Sequence, residues 1–149
     1  MEIKNVSVVG GGTMGNGIVT VFAVNDYNVN LIELNQEAID KALKNINSNL
    51  ERMVKKETIT SEQKLNALNN IKTFSNIENI PKNSDLIIEA VYENKDVTSN
   101  ILSKINKIVK GDSIIASNTS SISITELSNY CRPDKFIGMH FFNPVPVMK

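Results

Sequence analysis

The sequence predicts an α/β fold of Rossmann type, a doubly wound parallel sheet with an inserted helical hairpin after its second strand. Three observations carry that prediction. Short β-branched runs alternate with helical periodicity along all 149 residues, the pattern of strands joined by crossover helices. The first run, Val6 to Val9, meets a glycine-rich turn at Gly10 and passes at once into a helical pattern through Ile18, Val19, Phe22 and Ala23. The run Asp85 to Val91 has an unbroken apolar centre, as a parallel strand covered on both faces requires. No repeat, low-complexity tract or linker divides the chain, so residues 1–149 are expected to form one domain.

The first element is defined by its turn. Gly10, Gly12 and Gly15 fit G-x-G-x-x-G in the strand-before, helix-after setting of the dinucleotide fingerprint. Gly10 lets the chain turn off the strand, Gly12 lets a pyrophosphate approach the backbone, and Gly15 lets the helix pack close to the strand. The N–H groups of the helix start, from Thr13 and Met14 onward, would face the phosphates with the positive end of the helix dipole.

The second strand is predicted over Tyr27 to Glu33. Glu33 lies 18 residues after Gly15, where this fold wants a carboxylate for the adenosine ribose; a surface glutamate is the plainer alternative. No arginine follows to receive a 2′-phosphate, so NAD is expected rather than NADP. Asn35 is a candidate N-cap for a helix from Gln36 to about Lys56, and Ala38, Ile39, Ala42, Ile46, Leu50 and Met53 define its inner face. Thr60 to Gln63 has capping-box spacing and opens a polar helix to about Asn70. Lys55 and Lys56 either meet an anionic group or partner the helix dipole.

Ile71 to Phe74 is the third strand and Asp85 to Val91 the fourth. A helix from Val97 to Val109 follows, then a fifth strand over Ser113 to Ala116. Ser123 and Glu126 have capping-box spacing for a short helix to about Tyr130. Cys131 to Asp134 is a turn, and Lys135 to Met139 the sixth strand.

Composition narrows the function classes. Lys plus Arg equals Asp plus Glu at 16 each, so no basic surface points to nucleic acid. One cysteine, Cys131, excludes an internal disulfide and a cysteine-based metal cluster, and no metal is expected. The first apolar run is too short for a signal peptide or a membrane span. The expectation is a cytoplasmic domain that binds neither nucleic acid nor membrane.

Ligands of an open parallel sheet gather at the carboxyl ends of the strands. Three polar clusters fall there: Tyr92-Glu93-Asn94, Ser117 to Ser121, and His140 to Pro144. His140 is the only histidine in the chain. It is either structural or a base that takes a proton from an alcohol as hydride leaves the carbinol carbon. The Ser/Thr/Asn cluster is either turn chemistry or a hydroxyl set beside a substrate oxygen.

Gly10 to Gly17, Ser117 to Ser121 and Gly138 to Lys149 together resemble the 3-hydroxyacyl-CoA dehydrogenase family, and within it the bacterial 3-hydroxybutyryl-CoA dehydrogenases. The resemblance runs end to end, and its last two motifs are much more specific than the glycine loop. It implies a Rossmann domain followed by a helical domain that dimerises. It also implies that His140 is the catalytic base or acid and that Ser120 hydrogen-bonds the substrate oxygen. Glu93 and Asn143 would lie on the nicotinamide side of NAD, with Asn49 and Lys56 on the coenzyme A tail of an acyl-CoA substrate.

Four departures stand out. Gly11 replaces the commoner alanine, an exchange expected to be harmless, and Glu33 replaces the commoner aspartate. A lysine the family often places five residues after the glutamate of the cluster following the fourth strand, here Glu93, is Thr98 in this chain, with Lys95 nearby on another helix face. The glutamate that orients the family's histidine lies about a dozen residues further on, whereas Lys149 is nine residues after His140. The expectation is a cut at a domain boundary or a gene fragment that binds NAD and turns over little. Two other readings stay open: a non-catalytic, crystallin-like nucleotide-binding module, and a relative that oxidises a sugar acid such as L-gulonate.

Overall fold

A computed structural model describes residues 1–147; Met148 and Lys149, with the expected boundary, lie outside the described residues. The strands are β1 (Asn5–Val9), β2 (Asn28–Ile32), β3 (Ile71–Phe74), β4 (Leu86–Glu89), β5 (Ile114–Ser117) and β6 (Phe136–Gly138). The helices are α1 (Thr13–Val24), α2 (Gln36–Lys55), α3 (Ser61–Asn69), α4 (Lys95–Ile108) and α5 (Ile124–Leu127). All strand pairs are parallel, in the order β3-β2-β1-β4-β5-β6. The order reverses direction between β1 and β4, and a crevice opens at that switch point.

The period-two pattern of the strands sorts their side chains into two cores. Val8, Leu31 and Ile88 point to one face and pack with Ile18 and Val19 of α1 and Ile46 and Leu50 of α2. Val9, Ile32, Ile87 and Ile115 point to the other and pack with Leu102 and Ile105 of α4 and Leu127 of α5. Each of these large aliphatic side chains, once fully buried, contributes about 1.5–3 kcal/mol.

The caps place the helices. Asn35 accepts from the Ala38 N–H at 2.9 Å to start α2. Thr60 and Gln63 exchange both bonds of a capping box at α3. The crossover between β2 and β3 therefore carries the two helices read from the sequence, and Lys64 reaches back to Glu51 at 3.4 Å.

Three local expectations need correction. Helix α4 begins two residues early, because the Asn94 side chain caps the Val97 N–H at 3.1 Å. The Ser123 hydroxyl accepts from the Glu126 N–H at 3.3 Å, but the Glu126 carboxylate is turned to Lys95 instead of completing the box. The helix there is four residues long and continues as a 3-10 turn over Ser128–Tyr130. Finally, a methyl group on Gly11 would lie 2.7 Å from the Ala42 Cβ, so an alanine at that position requires α2 to shift.

At the amino ends of the strands, Asp85 joins the base of the sheet. One carboxylate oxygen accepts from the Lys4 and Asn5 N–H groups at 3.0 and 2.9 Å, and the other meets Lys110 Nζ at 2.7 Å.

Candidate active site

The turn after β1 is built for close approach. Gly10 sits at φ +101°, and a Cβ there would stand 2.7 Å from the Ala90 carbonyl oxygen. A Cβ on Gly15 would fall 1.8 Å from the Gly10 carbonyl oxygen, whereas one on Gly12 would meet nothing within 4 Å. The open space lies over Gly12, where a phosphate would come in. Helix α1 starts there with no side-chain cap, so its first-turn N–H groups lack intrahelical acceptors and face an incoming anion. Met14 packs its side chain on the core, which leaves its backbone amide as the group it can offer. Glu33 closes β2 and accepts from the Gly11 N–H at 3.2 Å.

A crevice of about 730 Å³ runs from Gly10 and Gly12 past Glu33 to Ile77, Val91 and Ile101. Its floor is apolar and its one carboxylate at the loop is Glu33, which suits an adenosine with free ribose hydroxyls. These residues fit a dinucleotide.

On the far side of the switch point, the loop after β5 is a hub. Glu93, just beyond β4, accepts from the Ser120 N–H at 2.8 Å, from Thr119 Oγ1 at 2.8 Å, from Ser121 Oγ at 3.0 Å and from Ser120 Oγ at 3.3 Å. Partial burial pushes its carboxyl up, but these donors outweigh that effect and hold it below the ordinary glutamate value. The same loop reaches the segment after β6. The Asn118 carbonyl lies 3.4 Å from His140 Nδ1, and Asn118 Oδ1 accepts from the Phe141 N–H at 3.0 Å. Phe142 stands edge-on to the imidazole at 4.9 Å. The ends of β4, β5 and β6 thus bring Glu93, Ser120 and His140 to one loop.

A second cleft, about 310 Å³, opens between α1, α2 and the Asn143 to Pro146 segment. Asn143 and Thr13 line it with Asn49 and Arg52, so Asn143 shares a cleft with Asn49, and Glu93 is not part of its lining. Gly17 makes room for the wall, since a Cβ there would meet Val145 at 2.9 Å. Asn16 links the cleft to the glycine loop: its Nδ2 donates to the Gly12 carbonyl at 2.7 Å, and its Oδ1 accepts from Asn49 Nδ2 at 2.9 Å. Arg52 donates to Asn49 Oδ1 at 2.5 Å. Lys56 caps α2 outside this lining, exposed to solvent.

Sequence reasoning missed Arg52 and Glu89, and it gave Asn16 and Asn118, each inside a motif it named, no role of their own. For Arg52 a signal existed, a cation one turn before Lys56 on the same helix. Glu89 was hidden in an apolar run. Thr98 is buried at 2% exposure, and Lys95 is paired with Glu126. Among the described residues no cluster of three or more His, Cys, Asp or Glu is placed to hold a metal, and no helix is long and apolar enough to cross a membrane.

A six-stranded parallel sheet of this order, with an uncapped glycine turn and a carboxylate at the end of the neighbouring strand, defines a Rossmann dinucleotide-binding domain. The chain belongs to the 3-hydroxyacyl-CoA dehydrogenase NAD-binding domain family, whose model matches residues 5–149. It is 44% identical to a 3-hydroxybutyryl-CoA dehydrogenase of Clostridioides difficile, over 96% of this chain and 51% of that protein. A human mitochondrial hydroxyacyl-coenzyme A dehydrogenase is 37% identical over 99% of this chain and 49% of its own length. The crystal structure of an (S)-3-hydroxybutyryl-CoA dehydrogenase from Ralstonia eutropha superposes with a TM-score of 0.94 at 47% identity, over 99% of this chain and 52% of that one. The chain spans about half the length of the relatives it matches.

Proposed function

We propose that this chain supplies the cofactor-binding half of an oxidoreductase that interconverts a (3S)-3-hydroxyacyl-CoA and the 3-oxoacyl-CoA, with short substrates such as acetoacetyl-CoA. The observation that carries the reading is the loop from Ser117 to Ser121, joined to Glu93 on one side and to the His140 segment on the other. NAD, when bound, takes up the hydride that leaves C3 or returns it in the reverse direction. Gly10, Gly12, Gly15 and the amides of Thr13 and Met14 hold the pyrophosphate, and Glu33 holds the adenosine ribose. Glu93 borders the nicotinamide side, and Asn143 would reach the same cofactor from the smaller cleft, which it lines with Thr13. His140 takes the hydroxyl proton while the C3–O bond becomes a carbonyl, and it returns that proton to the alkoxide in reduction. Ser120 donates to the substrate oxygen, which requires its hydroxyl to turn from Glu93.

Asn49, with Arg52 beside it, meets the coenzyme A tail; Lys56, outside the cleft, would act only at longer range. A cytoplasmic setting, and dimerisation through a helical domain in the parent protein, belong to the same proposal. His140 Nδ1 faces the Asn118 carbonyl and not a carboxylate. A carboxylate partner fixes the imidazole tautomer and stabilises its charged form, so this chain should bind NAD better than it turns over.

The test is NADH oxidation by acetoacetyl-CoA, measured with the 149-residue chain and with the full-length parent. His140→Ala in the parent should lower kcat by about 10²–10⁴-fold and leave the Kd for NADH nearly unchanged. Equal rates in the variant and the unmodified parent would end the catalytic reading of His140.

A further inference from the structure

Glu89, the last residue of β4, is 2% exposed, yet no step of the proposed reaction uses it. Its two oxygens do different work. Oε1 accepts from the Val91 N–H at 2.8 Å, and Oε2 accepts from Ser117 Oγ at 2.5 Å. Ser117 Oγ in turn accepts from the Thr119 N–H at 3.2 Å. One buried carboxylate therefore grips the turn that leads from β4 to Glu93 and the turn that leads from β5 to Ser120.

The chemistry at this point is selective. Both neighbours are donors, so the group between them must accept with each of its atoms, which a carboxylate does and an amide does not. A glutamine in its place could satisfy the Val91 N–H only by aiming its NH2 at Ser117. The serine hydroxyl would then lose its acceptor and rotate. Removing a partner from a buried hydrogen bond costs more than the bond itself contributes. Burial pushes the Glu89 carboxyl above its ordinary value, the donors from Ser117 and Val91 pull the other way, and the Glu93 charge adds to the rise. A group held against that cost is expected where geometry must be fixed.

We propose that Glu89 is a positioning residue for the nicotinamide side of the site, clamping the ends of β4 and β5 so that Glu93 and Ser120 meet. The inference rests on the reading of these strand ends as that side. ADP-ribose, which lacks the nicotinamide ring, separates the two ideas. Titration calorimetry with the 149-residue chain would compare NADH and ADP-ribose in Glu89→Gln, in Ser117→Ala and in the double variant, with Tm recorded for each. Each single variant should weaken NADH about tenfold, as loss of one buried charge-assisted bond implies, and change ADP-ribose by less than about twofold. The double variant should be no worse than either, because both break the same chain of bonds.

If Glu89→Gln fails to fold, Ser117→Ala alone carries the test. Unchanged NADH affinity overturns the clamp, as does parallel loss of both ligands together with Tm. Multiplying effects in the double variant overturn it too. Wild-type protein that binds ADP-ribose as tightly as NADH overturns the nicotinamide placement and the clamp with it. Wild-type protein that binds neither ligand overturns the cofactor reading as a whole.

Discussion

Gly12 and Gly15 are three residues apart in one loop, and an added methyl group meets different surroundings at each. At Gly15 it would fall 1.8 Å from the Gly10 carbonyl oxygen; at Gly12 it meets nothing within 4 Å. Gly15→Ala should therefore cost about 3 kcal/mol of stability, the upper range of overpacking. Gly12→Ala should cost less than about 1 kcal/mol, the effect of alanine at an N-cap, while still obstructing the pyrophosphate. Thermal melts and NADH titrations on the two variants check this: Gly15→Ala should fail in the melt and Gly12→Ala in the titration.

Glu33 acts at the same scale. Its carboxylate is the one at the loop end of the larger crevice, and it would accept from ribose hydroxyls and repel a 2′-phosphate. Glu33→Ala should weaken NADH about tenfold and shrink the preference over NADPH by a similar factor. Unaltered affinities for both cofactors would remove Glu33 from the ribose role.

Helix α2 joins two functions at the level of an element. Its inner face, with Ile39, Ala42, Ile46 and Leu50, is fully buried, and this fixes which polar positions look into the smaller cleft. Asn49 and Arg52 do, and Lys56 does not. For coenzyme A binding to the chain, Arg52→Ala should therefore raise Kd about tenfold, the loss of a charge-assisted contact with a phosphate. Lys56→Ala should change it by less than about threefold, as an exposed charge in screening solvent implies. Calorimetry with coenzyme A decides between the two residues, and the opposite ranking would return the contact to Lys56.

Across the whole molecule, the sheet carries charge at both ends. At the amino ends Asp85 is partly desolvated, which raises its carboxyl, but Lys110 and the Asn5 and Lys4 N–H groups outweigh that and hold it well below the usual aspartate range. A carboxyl with a depressed folded pKa binds fewer protons folded than unfolded. The stability it contributes is present above about pH 4 and is lost as pH falls through the folded value. Glu89, raised in the fold, contributes with the opposite sign: its share is present below the unfolded value and is lost as pH rises. Denaturant midpoints followed from neutral pH into acid should fall more steeply in the wild type than in Asp85→Asn. Parallel curves would show that Asp85 does not set the acid slope.

The sequence by itself determined the order of strands and helices, the caps at Asn35 and Thr60, the loop at Gly10 to Gly15 and the carboxylate at Glu33. Each is written in neighbours a few residues apart, because periodicity, capping and turn chemistry are local. It also named Glu93, Ser120 and His140, which follow three strands whose carboxyl ends must share one edge of a parallel sheet. The tertiary structure alone decided what those residues touch. Asn94 became a cap, Glu126 turned to Lys95, and Asn143 joined Asn49 and not Glu93. Arg52 displaced Lys56 at the cleft, and Glu89 emerged from an apolar strand as the link between two loops. The Asn94 cap is local, to Val97 three residues on; the others depend on pairs tens of residues apart, whose meeting is fixed by sheet register and helix packing and leaves no spacing in the chain to read.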